Sequence, residues 1–171
     1  MSNKNIEAAF ALGVPRDYGK IRKLRPVREP STLIGIGLDT QGREQRLAPR
    51  AARAWQRMCD AAAGDDITLQ FVSAFRSIEY QLGIFQRKLE RGLSIAEILE
   101  VNAAPGYSEH HSGRALDITT PGFAALEQEF ENSPAFVWLW ANAQTYGFHL
   151  SFPRGNPHGI SYEPWHWCWR R

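Results

Sequence analysis

The sequence predicts an α+β fold, a single domain with helices packed on a small, mainly antiparallel sheet. A length of 171 residues suits one domain with an added arm. Apolar residues recur at helical spacing in some segments and alternate in others. The two kinds of segment are mixed, without the regular strand–helix–strand units that build a parallel sheet. A hydrophobic share of 43% is enough for a core. The organisation expected is an N-terminal helix and extended arm over residues 1–44, then the main domain over 45–171.

In chain order, residues 4–13 read as a short helix with Ile6 and Phe10 on one side, ended by Gly13 and Pro15. The basic stretch 20–28, interrupted by Pro26 and followed by Pro30, reads as an extended arm. It is either a solvated linker or a strap that packs over the domain and shapes a groove. Residues 32–38 read as a strand and 39–42 as a turn. Leu47, Ala51, Trp55, Met58 and Ala62 then mark a core-facing helix, which Gly64 ends. Residues 67–75 alternate as a strand that leads into Arg76. A helix follows over 78–91 and stops at Gly92. Ser94 caps a further short helix, with Glu97 at the capping-box position.

Residues 104–107 form a loop, and 115–119 read as a central strand with Leu116 and Ile118 toward the core and Asp117 the other way. Helices are expected over 123–130 and 134–146, with Gly147 as a C-cap. Phe148, Leu150 and Phe152 mark a further strand. Residues 153–159 form a loop, and 160–163 with 165–169 supply the last strand material.

The net charge of +2 provides no broad basic field, so nucleic acid is not implied. No apolar run reaches membrane-spanning length, so no membrane association is expected. The N-terminal apolar stretch is short and flanked by Glu7, which argues against a signal peptide and for a cytoplasmic protein. Cys59 and Cys168 are far apart and lack metal spacing. They read as free thiols, a disulfide between them being the alternative.

Two stretches concentrate chemistry. Residues 108–117 read Ser-Glu-His-His-Ser-Gly-Arg-Ala-Leu-Asp, and residues 163–166 read Glu-Pro-Trp-His. From their three imidazoles and three carboxylates a metal can draw two imidazoles and one carboxylate, with carboxylates left over. A catalytic zinc site uses three protein ligands and leaves the fourth position to water, and a spare carboxylate is a candidate general base. A lone His is more often a surface or satisfied core residue. Here, however, three of the chain's five His, His110, His111 and His166, lie in dense clusters with Asp or Glu.

The pattern Ser108-x-His110-x-x-Gly113-x-Ala115-x-Asp117, followed by Glu163-x-Trp165-His166, resembles the paired signature of the VanY-type D-alanyl carboxypeptidases, a family of zinc peptidases. Residues 73–77 with Gln81 resemble that family's Ser-Gly-Tyr-Arg-Ser…Gln segment, with Ala74-Phe75 standing for Gly-Tyr. Residues 146–153 resemble its Tyr-Gly-Phe…Tyr-Pro segment, with Phe152 for Tyr. The resemblance implies the same α+β architecture and a zinc carboxypeptidase domain over 45–171.

It further implies zinc (Zn2+) held by His110, Asp117 and His166, with Glu163 as general base. Arg76 becomes an electrophilic helper or carboxylate clamp, and Gln81 and Ser108 substrate-binding groups. The family pattern uses the first His of the pair, so His111 stays outside the metal site, as do His149 and His158.

The implied function is removal of a C-terminal D-alanine from peptidoglycan stem peptides. Expected cytoplasmic location tilts this toward L,D-cleavage of tetrapeptide to tripeptide in murein recycling. D-alanyl-D-alanine carboxypeptidase or dipeptidase activity is the alternative, and a non-catalytic peptidoglycan-binding module is the alternative of another class. The expected partners are muropeptides, with no protein partner indicated.

Overall fold

The structure, a computed structural model, describes residues 3–170. Helix α1 spans Asn3–Ala11 and is followed by a single turn, α2, at Tyr18–Ile21. A β-hairpin comes next, β1 (Ile34–Leu38) and β2 (Glu44–Leu47), then the long helix α3 (Pro49–Gly64). Strand β3 (Gln70–Ser73) leads to α4 (Ile78–Glu90) and α5 (Ile95–Val101). A 3-10 turn at Glu109–Ser112 precedes β4 (Ala115–Thr119), and helix α6 covers Pro134–Asn142. The chain closes with β5 (Phe148–Leu150) and β6 (His166–Trp169).

The main sheet has the order β3-β4-β6-β5 with every pair antiparallel. Strand β4 is central and buried along its whole length. Leu116 and Ile118 point into a core shared with Trp55 and Met58 of α3, Leu139 of α6, and Phe148. Each such side chain is worth about 1.5–3 kcal/mol relative to exposure. Asp117 points to the opposite face, as alternation along a strand requires. It pairs in register with Ser73 on one side and His166 on the other. Residues directly opposite in an antiparallel ladder share a face. The sheet therefore delivers Asp117 and His166 side by side.

Helix starts follow local chemistry. Ser77 accepts the Tyr80 amide at the start of α4, Ser133 accepts the Phe136 amide at α6, and Ser94 with Glu97 forms the reciprocal capping box of α5. Gly147 adopts φ +86° behind the 3-10 turn Ala143–Tyr146, and a Cβ there would lie 2.8 Å from Trp169 Nε1. Among the described residues no helix is long and apolar enough to cross a membrane.

Four expectations need correction. The helix expected over 123–130 is absent; the segment is loop, with a 3-10 turn at Gln128–Asn132. Ala124, Ala125 and Leu126 are exposed, Leu126 has φ +61°, and an isolated helix with no face to bury is not stable. Residues 160–163 are not strand: the Ser161 amide bonds Glu100 O in the last turn of α5, and the Glu163 amide bonds Phe152 O in a loop. The strand expected over 67–75 shortens to β3. The strand expected through Phe152 ends at Leu150.

The basic stretch 20–28 packs over the body. The Val27 amide bonds Gly106 O, and the Arg22 guanidinium bonds the carbonyls of His158 and Gly159. Tyr18, buried, accepts the Ala104 amide and sits with Phe85, Ile98 and Tyr107 in a second apolar cluster that takes in α1.

Candidate metal centre

His110 sits on the 3-10 turn between the loop ending at Tyr107 and strand β4. Gly113 ends that turn at φ +65°, with its would-be Cβ 3.0 Å from the Ala48 nitrogen and 2.9 Å from Leu33. Only a residue without a side chain fits so close an approach in the left-handed region. The His110 Nδ1 donates to the Ala74 carbonyl, which can only accept. Nε2 must then carry a lone pair, and it is buried with no hydrogen-bond partner. It faces the Asp117 Oδ2 at 3.3 Å. Two acceptors held that close repel unless a cation lies between them.

His166 is held from the other side. Its Nε2 lies 3.0 Å from Glu109 Oε2, and its Nδ1 lies 3.1 Å from Asp117 Oδ1. Glu109 is itself fixed by Arg170 at 3.0 Å, and Arg170 also bonds Ser151. One atom each from His110, Asp117 and His166 gives three donors within 4.8 Å of one another, all on buried residues. A tetrahedron with bonds of about 2.1 Å has edges of about 3.4 Å. The two N···O separations of 3.3 and 3.1 Å already approach that edge. Both imidazoles anchor their second nitrogen on a carbonyl or carboxylate, as ligating histidines do. The residues present fit a zinc ion.

Charge is arranged to match. Burial would raise the Asp117 pKa, but His110, His166 and Arg76 outweigh it and hold the carboxyl well below the usual range. Burial and the Arg76 charge push His110 down to about 4. Burial acts the same way on His166, but its bonds to Asp117 and Glu109 carry it up to about 10. Glu163 lies 3.8 Å from His166 Nδ1, and burial pushes its pKa up to about 7.

Arg76 lies three residues beyond the end of β3. Its guanidinium lies 3.6 Å from Asp117 Oδ2 and 3.5 Å from Gln81 Oε1, while its Nε is buried without a partner. Gln81 is 1% exposed, and its amide nitrogen donates one hydrogen bond to the Ala103 carbonyl. The structure thus joins Gln81 to Arg76. Ser108 is buried in the wall of the same cavity, whose volume is about 400 Å3.

His111 lies on the same turn, not on an extended segment. Its Nδ1 donates to Arg76 O and its Nε2 accepts the Gly106 amide, so neither nitrogen faces the triad. His158 bonds the Arg22 carbonyl away from the site. Glu109 and Arg170 are the residues that sequence reasoning missed. Glu109 lies beside His110 in the motif, but only the β4–β6 register shows which histidine it serves.

The family model described as VanY, D-alanyl-D-alanine carboxypeptidase, matches residues 44–171. The chain belongs to the VanY family. A relative, the putative carboxypeptidase YodJ of Bacillus subtilis (strain 168), is 34% identical over 148 residues, covering 81% of this chain and 53% of its own. The chain thus spans about half the length of that relative. The structure of the LdcB LD-carboxypeptidase superposes with a TM-score of 0.74 at 32% identity, over 82% of this chain and 69% of that one. A VanY mutant from a VanB-type resistance cassette, a D,D-pentapeptidase solved with Zn(II), superposes at 0.64 with 26% identity, over 85% and 82%. The VanY architecture is therefore shared along with the sequence.

Proposed function

We propose that this chain is a zinc-dependent carboxypeptidase that removes the C-terminal D-alanine from peptidoglycan stem peptides, with a preference for the L,D bond of a tetrapeptide on free muropeptides. The observation that carries the reading is Glu163. A largely buried carboxylate 3.8 Å from His166 Nδ1 stands beside the three-donor cluster in a cavity of about 400 Å3. That is where a general base must stand to serve a water at the fourth ligand position.

His110, Asp117 and His166 would hold a zinc ion, which when bound would supply positive charge to polarise a scissile carbonyl and acidify water. Glu163 accepts the proton of the attacking water as its oxygen bonds the carbonyl carbon. It returns that proton to the departing amine as the C–N bond breaks. Arg76, oriented by Gln81, faces the negative charge that develops on the carbonyl oxygen. Ser108 offers its hydroxyl to the substrate backbone.

The L,D preference draws support from the likeness to the LdcB LD-carboxypeptidase. The D,D reading draws on the weaker likeness to the VanY pentapeptidase. A non-catalytic peptide-binding module has no need of Glu163. Mass spectrometry of tetrapeptide and pentapeptide muropeptides after incubation separates the readings. Tetrapeptide shortened to tripeptide with pentapeptide intact supports the L,D assignment. Pentapeptide shortened to tetrapeptide replaces it with the D,D assignment.

A further inference from the structure

Two cavities meet at Asp117 of the triad and at Arg76. The first holds Glu163, Ser108 and Lys88 together with Arg76 and Asp117. The second, of about 610 Å3, runs past Arg46, Phe75 and Tyr80 and shares Arg76, Asp117 and Leu126 with the first. A peptide that crosses the triad has one arm in each. On the function proposed above, Glu163 hands a proton to the leaving amine. Glu163 lines the first cavity and not the second, so the leaving residue occupies the first. The leaving residue of a carboxypeptidase substrate carries a free α-carboxylate, and that charge must be met inside the cavity.

Two lysine or arginine side chains line this cavity, Arg76 and Lys88. Arg76 is engaged with Asp117 and Gln81. Gln81 gives one amide N–H to the Ala103 carbonyl, and being neutral it cannot balance a carboxylate's charge. Lys88 lies seven residues beyond Gln81 on α4, two turns along one helix face and about 10 Å further on. Helical side chains lean toward the N-terminus, which directs the Lys88 chain back toward Arg76. It is half-buried, and among the described residues it forms no ion pair. Its pKa is lowered by burial and by Arg76 and raised by Glu163, so the ammonium feels both ends of the site.

We propose that Lys88 is the specificity-determining residue that receives the free C-terminal carboxylate of the leaving D-amino acid, and so makes the enzyme an exopeptidase. The assignment rests on the proposed reaction, and its consequence is selectivity for free acids over amides.

The test compares the zinc-loaded wild type with Lys88→Met and Lys88→Arg on peptides ending in D-alanine or in D-alaninamide. Binding of D-alanine and of D-alaninamide is measured calorimetrically in parallel. Loss of one charge-assisted contact is expected to lower kcat/KM for the free acid in Lys88→Met by about 10- to 100-fold. The loss falls mainly on KM and collapses the acid-to-amide ratio, and Lys88→Arg restores most of it. D-alanine binding weakens in parallel.

An acid-to-amide ratio in Lys88→Met equal to wild type, with D-alanine binding unchanged, overturns the proposal. Wild type that turns over neither peptide yet binds D-alanine in a Lys88-dependent way sinks the reaction reading and leaves the carboxylate site standing. An unchanged response to a neutral or acidic side chain on the residue before D-alanine supports the C-terminal carboxylate as the group held. A Lys88-dependent response to that side chain alone assigns Lys88 to a side-chain carboxylate and overturns the proposal.

Discussion

His166 and Glu109 are joined by a 3.0 Å contact between Nε2 and a carboxylate oxygen, across 57 residues of sequence. The contact anchors Nε2, so Nδ1 beside Asp117 is the nitrogen that would give up its proton to ligate a metal. Burial opposes ionisation of Glu109, but its contacts with His166, Ser151 and Arg170 bring its pKa down to about 2, so the carboxylate is charged across the neutral range. Glu109→Ala is expected to weaken zinc binding by about 10- to 100-fold, the usual cost of losing a carboxylate that orients a ligating histidine. Glu109→Gln keeps an acceptor but loses the charge and falls between. Competition with a fluorescent chelator reads both constants. Unchanged affinity in Glu109→Ala would remove Glu109 from the metal site.

The turn that carries His110 depends on Gly113. A Cβ at that position meets a backbone nitrogen at 3.0 Å while φ is +65°. Gly113→Ala is expected to destabilise the fold by at least about 1–2 kcal/mol from the left-handed conformation alone. It also lowers zinc affinity, because relief of the clash moves His110. Urea unfolding with and without metal separates the two effects. Stability equal to wild type would show that the turn has room to adjust.

Asp39 ties the β1–β2 turn. Its buried carboxylate accepts the Gln41 and Arg43 amides, the Arg43 guanidinium at 2.7 Å and the Gln45 amide. Burial alone would raise its pKa, but these bonds outweigh it and lower the value below 3.8. A carboxyl with a depressed folded-state pKa adds stability that is complete above its unfolded value, about 3.9. That stability is lost as pH falls through the folded value. Asp39→Ala is expected to cost about 1–3 kcal/mol at pH 7. In thermal melts, the gap between wild type and Asp39→Asn closes as pH drops below about 4. A gap that is constant with pH would mean that the carboxylate charge contributes nothing.

Much of the frame was legible because local pattern and tertiary demand agree. Leu116 and Ile118 alternate with Asp117, and β4 is the central strand with Asp117 on the site face. Ser94 and Glu97 make the capping box that their spacing implies. The pattern failed where local preference had no surface to work on. Ala124, Ala125 and Leu126 read as helix, yet they face solvent and the segment is loop. Leu126 instead borders both cavities. Residues 160–163 have strand-like composition, but their amides are claimed by Glu100 and Phe152.

The triad residues carry a sequence pattern. Their orientation by Glu109 and Ala74 comes from strand register and a backbone carbonyl, which leave no mark in spacing. On α6, Trp138 and Leu139 are buried while Val137 and Trp140 are exposed. An all-apolar helix does not announce which side is inward.

The most direct test of the central claim measures bound zinc and D-alanine release together, from a D-alanine-terminated tetrapeptide, in wild type and Glu163→Gln. The account predicts one zinc per chain in both proteins, with release abolished by chelator and restored by zinc. It predicts turnover in Glu163→Gln that is lower by about 100-fold or more. D-alanine release that survives chelation, or that proceeds at the wild-type rate in zinc-loaded Glu163→Gln, would contradict it.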